Sequence, residues 1–304
     1  MTSESSDSSV VKYLVGAASL FGGGLALVAA YKLLKMKIEK TNSTEPKTGN
    51  VYESEKLLNE YLMFHYGGPE VNCLHDIGPR NGFDFPVRCA ELCVKHYDSM
   101  VCSVERSLDI GCAVGRSTFE LAKYFRESIG MDFSYGFAKT CEVLAKNGRL
   151  EYEAPTEGAL TTKHVALVPS DVDTSRCSFK QGDACNLPLD IGQFGCVLAA
   201  NLICRLPDPK IFLLRLKNLV AQGGICVILS PYTFLHEYTP KSKWLGGYKD
   251  SSGKDVRAFD TMKSILLPDF ELVVAEDMPF LIRETARKHQ WTVSHATVWR
   301  RRAV

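Results

Sequence analysis

The stretch "LDIGCAVGRS", residues 108–117, decides how the rest of the chain is read. A short apolar run from Arg106 passes through Asp109 into Gly111, and Gly115 follows after Cys112, Ala113 and Val114. "STFELAKYF", residues 117–125, then places apolar side chains at helical spacing. A strand that turns over glycines into a helix lets its backbone approach a ligand closely, because glycine has no Cβ and accepts positive φ. Two glycines alone also suit a plain tight turn, so the neighbouring elements must decide.

Those neighbours repeat a strand–helix rhythm. "SIGMDFS" (128–134) is a second buried strand ending at Asp132 and Phe133, and "SYGFAKTCEVLAKNG" (134–148) is a helix that stops at Gly148. "CSFKQGDA" (177–184) gives a third strand with Asp183 and Ala184 just past its end, and "GCVLAANLI" (195–203) a fourth that runs out at Asn201. Asp208 is the expected N-cap and Pro209 the first residue of the next helix. "GGICVILSP" (223–231) is a fifth strand and "FELVVAEDMPF" (270–280) a further parallel one. "WTVSHATVWRR" (291–301) returns antiparallel, with Trp291, Val293, His295, Thr297 and Trp299 on one face, which makes His295 a core-face histidine. The alternation predicts an α/β, Rossmann-like fold: a seven-stranded, mostly parallel sheet with an antiparallel last strand, covered on both faces. Ligands of such sheets sit beyond the carboxyl ends of the strands. A carboxylate at Asp132 suits both hydroxyls of a ribose, and one at Asp183 suits an adenine amino group. Cys112 and Ala113 after Gly111 break the pattern G-x-G-x-x-G, which disfavours a nicotinamide dinucleotide.

The 36 basic and 35 acidic residues nearly cancel, so the molecule as a whole has no pull toward nucleic acid. Eleven cysteines are scattered without a paired CxxC set and read as reduced thiols. Cys89 and Cys93 share a helix face but have no further ligands nearby, so no metal site is predicted. Five segments are expected: a polar start (1–9), an apolar helix (10–34), a basic and polar linker (35–50), a helical lid region (51–103) and the core (104–302). Tyr13 to Tyr31 contains no charge and approaches the roughly 20 residues that span a bilayer. Lys32, Lys35, Lys37 and Lys40 follow it, which predicts a single-pass membrane anchor with the core on the cytosolic side. Gly22 and Ala26 offer a small-xxx-small contact for self-association of such helices. The rival reading is a cleaved signal ending near "LVAA"; an acidic rather than basic start speaks against it.

Asp109, Gly111, Gly115, Asp132 and Asp183 together resemble the first motifs of the class I S-adenosylmethionine-dependent methyltransferases. The likeness runs further through "YESEKLLNEYLMFHYG" (52–67), "FPVRCAELC" (85–93), "LAANLICRLPDP" (198–209), "SPYTFLHEYTPKSKWLGG" (230–247) and "DMPFLIRETARKHQWTVSHATVWRR" (277–301). Over about residues 50 to 302 the chain is similar to the 4-mercaptohistidine N1-methyltransferase domain, the C-terminal part of the ovothiol-biosynthesis enzyme. That resemblance implies S-adenosylmethionine as cofactor, held by Asp109, Gly111, Cys112, Ala113, Gly115, Asp132, Phe133, Asp183, Ala184 and Asn201. It also implies a small-molecule acceptor, a thiolated histidine methylated on its imidazole. Two departures stand out. "NVYES" replaces the expected N-P-Y-E, and an apolar segment stands where the family commonly carries a fused iron-dependent sulfoxide synthase. Another protein would then supply the thiolated histidine, or the acceptor is a related imidazole, a thiol or a peptide histidine. A third reading is an inactive, cofactor-binding membrane scaffold.

An amino-acid acceptor calls for an arginine to pair its carboxylate. Arg283, on a rim formed by residues 278–290, is the first candidate, ahead of Arg287 and His289, with Arg205 and Arg88 as the others. Tyr232 and His236 lie on the long aromatic connection after the fifth strand, with Glu237, Tyr238 and Trp244, and are expected to wall the acceptor or serve as base. The segment around Leu57, Leu58, Tyr61 and Leu62 reads as a lid or a packing helix, with Tyr52, Tyr61 and His65 as candidates for the same pocket, although a lone histidine such as His65 more often serves a structural role.

Overall fold

The computed structural model describes residues 51–75 and 77–303. The expected anchor and linker lie outside them; among the described residues no helix is long and apolar enough to cross a membrane. Four helices precede or follow the first strands: α1 (Glu55–Tyr66), α2 (Pro69–Asn72), α3 (Phe85–His96) and α4 (Arg116–Leu121). The central sheet contains β1 (Arg106–Ile110), β2 (Glu127–Asp132), β5 (Cys177–Gln181), β6 (Phe194–Ala200), β7 (Val220–Ser230), β10 (Phe270–Thr285) and β11 (Lys288–Arg301). Its order is β10-β11-β7-β6-β1-β2-β5, with β11 antiparallel to both of its neighbours and the other pairings parallel. The expected seven-stranded architecture is therefore present.

Continuous apolar strands bury both faces. In β6, Cys196 and Leu198 pack with Phe85, Cys89 and Cys93 of α3 on one side. Val197 and Ala199 pack on the other with Phe212 and Leu216 of α6 (Pro209–Leu219) and Met262 of α7 (Ala258–Leu266). Alternate residues point to opposite faces of a strand, so one apolar run serves two layers. This placement corrects part of the lid reading: α3 covers the sheet, and the segment above the site is 51–72. All eleven cysteines are free, and most are buried as small apolar groups.

Helix ends follow the sequence signals. The Ser54 hydroxyl caps α1, and Asp208 accepts from the Lys210 amide at the start of α6, with Pro209 in the first turn. α5 (Tyr135–Asn147) ends on Gly148 at φ 70°, the left-handed conformation that glycine adopts without a Cβ clash.

Residues 149–167, for which the sequence reading proposes no element, form a separate hairpin of β3 (Arg149–Glu157) and β4 (Leu160–Leu167). Its inward Tyr152, Ala154 and Ala166 pack beneath α1 with Leu62 and Met63. A second small pair, β8 (Tyr248–Lys249) and β9 (Asp255–Val256), was not foreseen either.

The largest correction concerns residues 278–290, expected as a rim. They belong to the β10–β11 hairpin, which continues past His295, the last β11 residue paired with β7. At about 3.3 Å per residue, this projection reaches some 20 Å beyond the sheet edge. Arg283 lies inside it and is only 1 % exposed. Its Nη1 donates to Val71 O at 2.5 Å and its Nη2 to Pro155 O at 2.7 Å, joining the projection to α2 and β3. His289 adds a 2.9 Å bond to Asn72 O. Arg283 thus clasps a roof made of α1, α2 and two hairpin tips, and it does not present its guanidinium to a substrate. Arg287, in the turn between β10 and β11, keeps the rim position without a place in the clasp. Arg283→Leu is expected to lower stability by about 2–4 kcal/mol, because a buried and a part-buried carbonyl lose their donors. Urea unfolding checks this; an unchanged melt with a raised KM for the acceptor would return Arg283 to substrate binding.

Candidate functional site

Parallel strands deliver the expected cofactor residues to one edge of the sheet. Gly111 (φ 76°), Ala113 (φ 48°) and Gly115 (φ 83°) turn the chain sharply after β1. A Cβ at Gly115 would stand 2.9 Å from both Cys141 Sγ and a Phe179 ring carbon, so the loop there admits glycine alone. Cys112 and Ala113 are buried within it, and Cys141 Sγ donates to Ala113 O at 3.2 Å. Asp132, at the end of β2, accepts from the Ala113 amide at 2.9 Å and from the Ser134 amide at 2.8 Å. Its two oxygens therefore fix the glycine loop and the start of α5, and each retains acceptor capacity for a ribose hydroxyl. Burial pushes its pKa up, opposed by those amide bonds. Phe133, the next residue, is 61 % exposed and leaves a ring face at the mouth. At the end of β5, Asp183 accepts from the Cys185 amide at 2.8 Å, with Ala184 buried beside it. This set fits an adenosyl group: an anchored carboxylate for its ribose, a second one for its base, and a close backbone approach between them.

Asp109 plays a different part from the direct contact expected of it. It is 2 % exposed, and its carboxylate accepts from Thr118 Oγ1 at 2.8 Å, tying β1 to α4 behind the loop. Burial raises its pKa to about 7, against the lowering effect of the Thr118 hydrogen bond.

The roof closes over this edge. Glu53 accepts from the amides of Tyr135 (2.8 Å) and Gly136 (3.0 Å), so a carboxylate sits on the N-terminus of α5. Tyr66 Oη donates to Val114 O at 2.7 Å, pinning α1 to the glycine loop. Tyr61 stands 4.9 Å from Phe137, and Tyr52 stands 6.2 Å from Tyr61 and 6.3 Å from Tyr238, ring centre to ring centre. The Arg205 guanidinium lies 4.8 Å over the Tyr238 ring. Burial, reinforced by the Asp132 charge, holds the Tyr61 phenol above its usual range. His65 is enclosed next to Tyr61; burial and the Arg116 charge lower its pKa to about 3, so it is neutral.

The expected arginines differ in their partners, and Arg205 lies at the cofactor edge over Tyr238. Its described hydrogen bonds all leave from Nη1, to Cys204 and Thr233. Arg88 is committed elsewhere: its Nε donates to Phe83 O at 2.9 Å and its Nη2 to Pro279 O at 2.5 Å. It lines a cleft of about 580 Å³ of mixed charge, shared with Asp84, Glu91 and Arg116. His236 is exposed and lies against Trp244, 5.0 Å between ring centres, so two of the expected wall residues meet on this connection. Tyr232 and Asn201 stand at the ends of β7 and β6, both at φ 55°. Ser294 Oγ donates to Asn201 Oδ1 at 2.5 Å, and Tyr232 Oη is 2.8 Å from His295 Nδ1. The sequence reading missed Glu53, Thr118 and Ser294, whose partners lie up to 93 residues away along the chain. No group of histidines, cysteines and carboxylates suited to a metal occurs among the described residues.

Residues 108–228 match the family model described as a methyltransferase domain. The matched segment starts with the glycine loop and ends with β7. That segment is similar to a methyltransferase domain, and its cofactor is S-adenosylmethionine. No curated protein matches the sequence. The [4+2]-cyclase SpnF is similar in fold, with a TM-score of 0.50 and 14% identity over 82% of this chain and 94% of that one. The N-methyltransferase NodS from Bradyrhizobium japonicum WM9 has a TM-score of 0.43 and 15% identity over 72% and 97%. The N-terminal domain of EvdMO1, with S-adenosylhomocysteine bound, has 0.42 and 15% over 71% and 81%. A protein named as a cyclase shares the fold, so the reaction must be argued from the site.

Asp109 also gives this site a pH signature. Its pKa rises from 3.8 to about 7 on folding, so the folded state binds the extra proton between those values. That contribution to stability is complete below 3.8 and is lost as pH rises toward 7. Asp109→Asn, which keeps a partner for Thr118, is expected to flatten the dependence of the urea midpoint on pH across this window.

Proposed function

We propose that the chain is an S-adenosylmethionine-dependent N-methyltransferase acting on the imidazole of a thiolated histidine, tethered to a membrane by residues 10–34. The observation that carries the acceptor is a cation among rings: Arg205 lies over Tyr238, which neighbours Tyr52 and through it Tyr61, beneath a roof clasped by Arg283. A small amino acid with a carboxylate and a flat ring suits a cation set among tyrosines. Arg205 would pair its carboxylate, and the rings would flank the imidazole.

Bound S-adenosylmethionine supplies an activated methyl group on a sulfonium. The chain's own task is alignment and exclusion of water. Asp132 and Asp183 hold the nucleoside end, while the roof residues keep the acceptor in place. A thiolated histidine offers a sulfur more nucleophilic than its ring nitrogen, so the fixed positions of Arg205 and the tyrosines must aim nitrogen and hold sulfur aside.

The full chain, given cofactor and either 5-thiohistidine, histidine or a histidine peptide, is expected to add one methyl to the imidazole nitrogen of 5-thiohistidine. Mass spectrometry and NMR locate the methyl; transfer to sulfur, or to the peptide alone, would sink the acceptor assignment. Calorimetry should show Asp132→Ala weakening cofactor binding by roughly 10–100-fold, the equivalent of one or two lost charged hydrogen bonds. Recovery of the full chain in the membrane fraction checks the tether.

A further inference from the structure

Tyr232, expected to wall the acceptor or serve as base, meets His295, and five features set the pair apart. Tyr232 Oη and His295 Nδ1 are 2.8 Å apart. Tyr232 sits at φ 55°, where a bulky non-glycine residue is strained, and strain of this kind persists where a side chain must be aimed. Asn201, at the end of the adjacent strand, has the same φ of 55° and accepts a hydrogen bond from Ser294, the residue beside His295. The Phe259 ring meets the His295 ring edge-on at 4.6 Å and fixes its plane. Both members of the pair are only partly buried, unlike Thr297 and Trp299 further along the same face. The sequence reading of His295 as a core histidine therefore gives way to a positioned imidazole at the site's edge.

We propose that Tyr232 and His295 together accept the proton that a ring nitrogen sheds when it is methylated. The proposal rests on the N-methyltransferase reading and adds the residues that complete it. The acceptor's neutral nitrogen uses its lone pair to form the N–CH3 bond as the S–CH3 bond breaks, and sulfur keeps the bonding pair. The methylated ring is then a cation carrying one N–H proton too many. Tyr232 Oη takes that proton while giving its own to Nδ1 of His295, and the imidazolium releases it to water. Tyrosine cannot do this alone, because burial holds its phenol above the usual range and disfavours a free phenolate. Other charges face the pair: Asp277 of β10 is opposite His295 in the strand register, and Lys263 of α7 stands 5.6 Å over Phe259, with Asp260 next to that ring in the chain. Opposed residues share a face, so Asp277 lies on the same side of the sheet as His295.

The test uses the full chain with the cofactor and 5-thiohistidine. His295→Gln and Tyr232→Phe are expected to lower kcat roughly 100-fold or more, in the range for loss of a general base. KM for the cofactor should stay within about twofold, a change of less than 0.5 kcal/mol in binding. The acid limb of the kcat profile should vanish in His295→Gln, and added imidazole should restore part of the activity of His295→Ala. Independently of turnover, the ring-nitrogen NMR signals of His295, assigned through His295→Gln, are expected to shift when S-adenosylhomocysteine saturates the protein. Signals that do not move overturn the inference, as does an unchanged kcat profile in His295→Gln with an acceptor the wild type methylates. A wild type that methylates no acceptor overturns the N-methyltransferase reading itself, which the NMR shift does not depend on.

Discussion

A parallel strand can be followed by another only if the chain crosses back outside the sheet, so every parallel strand leaves the sheet at the same edge. That constraint gathers the ends of β1, β2, β5, β6 and β7 at one edge of this protein. Residues as distant as Gly111, Asp132, Asp183, Asn201 and Tyr232 become neighbours through it. The glycine loop meets Asp132 there through a backbone amide, so the carboxylate shapes the loop before any ligand arrives. Removing the crossovers would scatter the site, whatever the side chains.

What lies above that edge has a different origin. α1, α2 and the tips of two hairpins form a roof that owes little to local propensity. It depends on Arg283, a buried cation bonded to two backbone carbonyls from separate segments. Such a residue is costly to desolvate, and it holds its place because its fork satisfies carbonyls that would otherwise be buried without donors. The same residue type at Arg205, with a ring beneath it and fewer backbone partners, is suited to a ligand. Environment, not identity, separates the two arginines.

The site also divides its acids by surroundings. Asp109 is enclosed and bonded to one hydroxyl, so it behaves as an internal brace that holds its proton. Asp132 receives two amides and lies at the mouth, where its oxygens can meet a ligand. Both stand at strand ends in the sequence, and nothing in their spacing tells them apart. The neutral His65 and the Tyr232–His295 pair show the same division among the histidines: one is sealed into the roof, the other wedged at the edge with an open side.

Much of this architecture was legible in the residues themselves. Hydrophobic periodicity marks β1, β2, β5, β6 and β7, Asp208 and Pro209 mark the start of α6, and Gly148 marks the end of α5. These signals are local, fixed by dihedral preference and by which faces must leave water. The cofactor edge was legible too, because a doubly covered parallel sheet allows one place for it. The β3–β4 hairpin escaped notice because only Tyr152, Ala154 and Ala166 turn inward, a weak alternation beside exposed polar residues. Arg283 and Arg88 were misplaced for a shared reason. A side chain's role depends on which carbonyls or rings it meets across the fold, and those partners are set by packing between segments far apart in the chain. By itself the sequence determined the sheet, its order of elements and the acids at its edge; only the tertiary structure decided which cations bind backbone carbonyls of the roof and which lie over an aromatic ring, because those partners come from segments far apart in the chain.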